Sequence, residues 1–172
     1  MSITTSVKKA VRKAESAITG KESQADLLDT LKEEHEEVSA LLKKLVDSEN
    51  GAERKSLLTK IKANLVPHVR AEEKVLYDAI IAIKDKQTQR DGHEGYIEHS
   101  LADKMLKDLE KISPATSPEF SAAAKVLKEL VEHHIQEEES AVWSDAKENF
   151  SADERKLMNQ HYLAEKKKVK VH

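Results

Sequence analysis

Cysteine is absent from this 172-residue chain, which excludes disulfides, thiolate zinc sites and iron–sulfur clusters. Glycine and proline are scarce, at 4 and 3 residues, and strand signals are few. Such a chain turns rarely and reads as all-α. No apolar run is long enough to span a bilayer or to form the core of a signal peptide. A soluble, cytoplasmic protein is therefore expected, with no membrane partner. Charge of one sign is also lacking: 29 basic against 32 acidic residues leaves −3. That is too small to point to nucleic acid or an acidic tail. What remains is a 38% hydrophobic content, enough for one domain with a real core, and a generous supply of 8 histidines.

The apolar pattern divides the chain into rods. Residues 2–19 read as a short basic helix ended by Gly20, packed on the domain as an accessory. Its apolar face is thin for a membrane-surface or partner-binding arm. A first long helix is expected over about 23–48, where Leu27, Leu28, Leu31, Val38, Leu41, Leu42 and Leu45 recur at helical steps. A second follows over about 52–84, with Pro67 inside it and a kink expected there. The segment KDKQTQRDG (84–92) reads as a polar loop. A third helix covers about 93–112. SPATSP (113–118) is a break in which Ser117 can cap and Pro118 can open a fourth helix running to about 149. Residues 151–168 form a final short helix, and the Lys-rich 166–170 stretch is a solvated tail. The expected organisation is therefore an accessory helix in 1–22, a bundle in 23–150, and a C-terminal helix with a basic tail in 151–172. Long helices on short turns predict an up-down-up-down antiparallel four-helix bundle.

Two segments repeat within this frame. HVRAEEKVLY starts at His68 and HIQEEESAVW at His134; each has Glu at its fifth and sixth places and a large aromatic at its tenth. EHEEVSALLKKL (34–45) likewise resembles EHSLADKMLKDL (98–109), so the bundle looks like two copies of one hairpin. Residues four apart share a helix face. His68 with Glu72 and His134 with Glu138 thus point one way, and that way is the apolar one. His35 and His99 follow the inward positions of their own helices. Counted from the turn centres at about 1.5 Å per residue, each hairpin brings its two histidines within about 5 Å of the same height.

Two buried carboxylates with no inward Lys or Arg to pair them would cost several kcal/mol each. A pair of divalent cations resolves that cost. Imidazole and carboxylate together suit iron best, with manganese and zinc as the other candidates.

A lone His, then HxxxE, then a lone His, then HxxxE on four helices resembles the hemerythrin-like family, also called HHE cation-binding domains. The resemblance covers about residues 26–148. It implies two non-heme irons in a four-helix bundle, with His35, His68, His99 and His134 as terminal ligands. Glu72 and Glu138 would be the bridging carboxylates, and an oxo or hydroxo bridge would complete the core. An open position would take O2 or a similar small ligand such as NO or peroxide, for storage, delivery or sensing. The alternatives are a peroxidase- or catalase-like enzyme and an iron-buffering bundle. A binding protein is favoured over an enzyme, and signalling would need a separate protein partner. One departure stands out. Oxygen-carrying hemerythrins place two His four apart on the third helix, whereas here Gly95 and Asp103 flank His99 at that spacing. An imidazole is missing, which puts simple reversible oxygen carriage in doubt.

Other residues read as bystanders. His133 with Glu137 would be an alternative register that does not follow Leu127 and Val131. Glu73 and Glu139 read as solvated neighbours, His93 as a loop or first-turn residue, His161 as a surface residue, and Tyr77 and Trp143 as core. Leu31, Val38, Leu65, Leu76, Leu130, Val131 and Val142 would line the site. The groups holding each imidazole's second nitrogen cannot be read from the sequence.

Overall fold

Side-chain caps decide where the helices begin. In the computed structural model, which describes residues 25–171, Asp26 accepts the Leu28 amide at 3.0 Å and opens α1 (Leu27–Asp47). Asn50 accepts from Ala52 and Glu53 at the head of α2 (Gly51–Glu72). Asp85 does the same for α3 (Lys86–Lys111), accepting from Gln87 and Thr88. Ser117 caps α4 (Pro118–Glu137), and a reciprocal Ser151–Glu154 box opens α5 (Ala152–Lys166). Each cap satisfies amides that have no partner within the helix. The chain is all-helical as expected, with no strand among the described residues. The expected helix within residues 1–22 lies outside them.

Two local expectations need correction. The polar stretch 84–92 is not a loop, because α3 begins at Lys86. Asp85 supplies the cap, and Gly92 and Gly95 are required by packing rather than by a turn. A Cβ on Gly92 would meet Ile81 Cγ1 at 2.8 Å, and one on Gly95 would meet Tyr77 Cζ at 2.5 Å. The second concerns Pro67, which lies within continuous α-helix. The departure from α geometry comes later, as a π-helical turn at Glu73–Tyr77 followed by a short α segment, Asp78–Ile81.

An equivalent π turn, Glu138–Val142, extends α4 before the segment Trp143–Asn149. These paired turns explain the burial of the two aromatics. In an unbroken α-helix the tenth residue of each repeated segment would sit about 180° from its histidine. A wide turn absorbs one residue and brings the tenth back to within about 80°. Tyr77 and Trp143 are accordingly buried.

Hydrogen bonds report the register of the rods. Glu37 accepts from Asn64 at 2.9 Å and Glu34 lies 3.0 Å from His68, so α1 and α2 run antiparallel. Arg70 pairs with Asp103 and Lys62 with Glu110, so α2 and α3 also run antiparallel. At the turn end, buried Arg54 donates to Ala115 O at 2.8 Å and Ser121 Oγ at 3.0 Å, tying α2 to the approach to α4. Helix α5 crosses α1 and α2 through Arg155–Asp26, Tyr162–Glu34 and Lys74–Glu165.

The apolar core has two parts. One, around Leu42, Ile61, Leu109 and Leu127, fills the turn end. The other, around Leu31, Leu76, Ile80 and Trp143, fills the opposite end. Burying each such side chain contributes about 1.5–3 kcal/mol. That gain holds the rods together across the polar layer that follows.

Candidate metal centre

Between the two apolar clusters, all six histidines and glutamates singled out by the repeat are buried: His35 2%, His68 5%, Glu72 0%, His99 1%, His134 6% and Glu138 1% exposed. Their tips converge. Glu72 Oε2 lies 3.4 Å from His68 Nε2 and 3.5 Å from His99 Nε2. Glu138 Oε2 lies 3.3 Å from His134 Nε2 and 3.6 Å from His35 Nε2. His99 and His134 approach Nε2 to Nε2 at 3.0 Å. Each carboxylate therefore faces one imidazole from each hairpin.

Behind every imidazole stands a second carboxylate. His35 Nδ1 is 3.0 Å from Glu139, His68 Nδ1 3.0 Å from Glu34, His99 Nδ1 3.3 Å from Glu73 and His134 Nδ1 2.7 Å from Glu98. A proton on Nδ1 donated to that carboxylate leaves the Nε2 lone pair facing the centre, the tautomer that a metal ligand needs. Glu73 and Glu139 are thus not solvated neighbours. Glu34 and Glu98 were missed in the sequence. A signal existed: Glu-His recurs at 34–35 and 98–99, and Glu-Glu at 72–73 and 138–139. Each pair gives one residue to the centre and one to another helix's histidine.

The electrostatics follow from burial and from the crowding of these groups. Burial, then the charge of Glu138, pushes the Glu72 carboxyl well above its usual range. Burial would raise Glu138 too, but hydrogen bonding to His134 and the charge of His35 hold it well below the usual range. His134 is driven down by burial yet ends at about 10, because Glu138 and Glu98 favour its charged form. Burial lowers His99 to about 4 against the opposing pull of Glu73. His35 is likewise lowered, chiefly by burial.

Four of the central atoms, His35 Nε2, both Glu72 oxygens and Glu138 Oε2, make no hydrogen bond of good geometry. Buried polar atoms are normally satisfied, and each orphan costs about 1–3 kcal/mol. The donor set is imidazole and carboxylate, which suits iron, manganese or zinc. His35, His68 and Glu72 form one group that could hold a cation, and Glu72, His99 and His134 form another. The residues present therefore fit a metal.

The surroundings are uneven. Trp143 donates its indole N–H to Glu138 Oε1 at 3.0 Å and stacks on His35. Tyr162 of α5 donates to Glu34 at 2.6 Å, and Lys166 reaches the same oxygen at 2.6 Å. Burial opposes ionisation of Glu34, but bonds to His68, Lys166 and Tyr162 hold its pKa at about 2. Lys166 is therefore part of this network and not of a free tail. On the other side, the ring of Tyr77 packs against His99 at 5.3 Å. Its hydroxyl is buried and makes no hydrogen bond of good geometry, with the Glu138 carboxylate beside it.

The remaining sequence candidates lie elsewhere. His93 is exposed on α3, and His161 is half-buried on α5. The side chain of His133 is 59% exposed, so the register through His133 and Glu137 points to solvent. Asp103 is taken up by Arg70 and does not replace the missing imidazole. Of the expected lining, Val38, Leu65, Leu130 and Val131 border the cavity beside the histidines. Leu31, Leu76 and Val142 belong to the cluster at the other end.

Buried clusters of this kind, on helices alone, define a helical cation-binding protein. Comparison with known families makes this specific: residues 26–143 match the hemerythrin HHE cation binding domain, and the chain belongs to that family. It is also similar to a protein of Nostoc sp. (strain PCC 7120 / SAG 25.82 / UTEX 2576) named DNA nickase, 27% identical over 156 residues. The match covers 90% of this chain and 43% of that relative, so the chain spans less than half the relative's length. No solved structure is a significant match. No described helix is long and apolar enough to cross a membrane.

Proposed function

We propose that the chain is a soluble, cytoplasmic up-down-up-down four-helix bundle that holds two non-heme irons and binds O2 or a similar small ligand, NO or peroxide, for storage, delivery or sensing. His35 and His68 would serve one ion and His99 and His134 the other, with Glu72 and Glu138 between them. Manganese and zinc fit the same donors. The observation that carries this reading is the convergence of four imidazole Nε2 atoms on two buried carboxylates, each imidazole backed by its own acid.

Ferrous ions would supply electrons and open coordination positions. The protein's own part is to orient and to exclude water. Glu34, Glu73, Glu98 and Glu139 fix the imidazole planes, and Trp143 fixes Glu138. Val38, Leu65 and Val131 give the cavity an apolar wall that suits a neutral diatomic molecule. With His99 as the one histidine contributed by α3, a position is left for such a ligand.

Elemental analysis of the purified protein should find two iron ions per chain. Mixing the anaerobic ferrous protein with air should produce a visible ligand-to-metal charge-transfer band. Absence of iron, manganese and zinc, or a ferrous protein silent to O2 and NO, would overturn the reading. The open position also favours a second reading, an enzyme that consumes peroxide. Its signature would be oxygen evolution from hydrogen peroxide that disappears in Glu72→Ala. Metal that stabilises the fold yet reacts with neither O2 nor peroxide would leave iron buffering. The relative's name, DNA nickase, is not carried over, because the formal charge of −3 provides no summed attraction for DNA. Nicking of supercoiled plasmid by the metal-loaded chain would reverse that judgement.

A further inference from the structure

Three openings reach the histidines, and they differ in chemistry; the third, beside His68, carries Lys166 in its lining. The first has the apolar wall just described. The second lies between α3 and the C-terminal part of α4, beside Gly95, and is lined by Asp91, Glu94, Glu98, Glu137 and Glu138, with Tyr77 at its floor. Glu94 and Glu137 are exposed at its outer end, whereas Glu138 at the inner end is 1% exposed. Carboxylates thus step from solvent to the centre.

Little offsets their charge. No Lys or Arg lines this opening among the described residues. Arg90 stands 3.9 Å from Asp91 but is itself 71% exposed, and Gln87 donates to Asp91 at 2.6 Å. Glu98 is occupied by His134 at 2.7 Å and His133 at 3.7 Å. Nearby Asp145 is raised by burial first and then by the charges of Asp91, Glu148 and Asp85, while Thr88 pulls it the other way.

Acidic surface alone is common and needs no ligand. The second observation is the Tyr77 hydroxyl. It is 0% exposed, lines this opening, and makes no hydrogen bond of good geometry, with the Glu138 carboxylate beside it. Gly95 keeps the space in front of it: an added Cβ would stand 2.5 Å from Tyr77 Cζ and 2.8 Å from its oxygen. A glycine and an unsatisfied phenol together line the path with oxygen where any larger residue would block it.

We propose that this acidic opening is the route by which a divalent cation reaches the centre. Asp91, Glu94 and Glu137 gather the hydrated ion, and the Tyr77 oxygen stands between them and Glu138. Oxygen donors of this kind suit hard divalent cations. A cleft lined by one sign of charge raises on-rates by about 10–1,000-fold, with a strong dependence on salt. The inference rests on the metal-centre reading.

The test is stopped-flow loading of the metal-free full chain with ferrous ion under anaerobic conditions. The chain has 1 tryptophan, Trp143, and its contacts with Glu138 and His35 make its fluorescence the reporter. The combined variant Asp91→Asn, Glu94→Gln, Glu137→Gln should load at least about tenfold more slowly than wild type, lose most of the salt dependence, and reach the same final metal content. Tyr77→Phe should also slow loading. A charge-matched control, Asp108→Asn, Glu110→Gln, Glu129→Gln, should load like wild type. Wild-type rate and salt dependence in the first variant, or equal slowing in the control, would overturn the route while leaving the metal centre intact. A wild-type chain that takes up no metal would overturn the metal centre itself.

Discussion

The two imidazole pairs are built alike and finished differently. His35 and His68 in the first hairpin, like His99 and His134 in the second, each rest an Nδ1 on a carboxylate from another helix. The first pair is then partly covered. Helix α5 lays Tyr162 and Lys166 on Glu34, and Trp143 stacks on His35. The second pair faces Gly95, the unsatisfied Tyr77 hydroxyl and an acidic opening. Symmetry comes from the repeated hairpin, and asymmetry from the helix added to one side. In the proposed centre the two halves would share Glu72 and Glu138 while differing in what surrounds them.

The sharpest way to break this comparison is at a residue both halves share. Glu72→Ala should abolish metal uptake in both halves, and with it the metal-dependent stabilisation, about 4 kcal/mol at a thousandfold excess over Kd. Thermal melts with and without metal would show it; a variant that still gains full stability would break the shared-bridge picture. Metal-free Glu72→Gln should melt no lower than the metal-free wild type, because a buried carboxyl that makes no hydrogen bond of good geometry has been removed.

Acid should act next most strongly. In the metal-free chain His134, at about 10, holds a proton at neutral pH that a metal must displace, and the upward shift of Glu72 acts in the same sense. Metal affinity should therefore rise with pH and fall steeply below about pH 6. Above about pH 6.5, where the lowered His35 and His99 no longer add a slope, folding of the metal-free chain should have the opposite slope. The raised His134 pKa stabilises below its unfolded value of 6.5, and that contribution is lost as pH approaches about 10. Melting curves of both forms across pH 7–9 would check the pair of signs, and parallel slopes would refute it.

Glu34→Gln and Glu98→Gln separate the halves. Each should weaken metal binding by about 10–100-fold at its own pair and spare the other, read as one of two steps in a cobalt titration. Tyr162→Phe should cost only about 1 kcal/mol, or about fivefold in affinity, and only in the first half. An equal effect on the second step would mean that α5 serves both halves. Smallest of all, His133→Ala should change stability by no more than about 0.5 kcal/mol and leave the metal count unchanged. Loss of metal there would revive the alternative register.

Much of this layout was legible beforehand. The spacing of His68 with Glu72 and of His134 with Glu138 puts both members of each pair on an apolar face, because helical periodicity is local. The counting from the turns put His35 level with His68 and His99 level with His134, and their ring centroids lie 5.1 Å and 4.6 Å apart. The acids behind the imidazoles were not legible. His35 and Glu139 are 104 residues apart and His68 and Glu34 are 34 apart. Which of two adjacent glutamates turns inward depends on how neighbouring rods rotate against each other. The start of α3 was hidden for another reason: Gly92 and Gly95 look like turn residues until the side chains of Ile81 and Tyr77 are seen filling their space.

The sequence by itself determined the helical class, the repeated hairpin and the six inward groups, since each follows from periodicity, composition or the cost of burying charge within a few turns of chain. Tertiary structure alone decided which acid holds which imidazole, that wide turns carry Tyr77 and Trp143 inward, and that α5 partly covers one half and leaves the other open. Those features arise where rods meet, and contacts between distant segments take their geometry from packing and not from any local spacing.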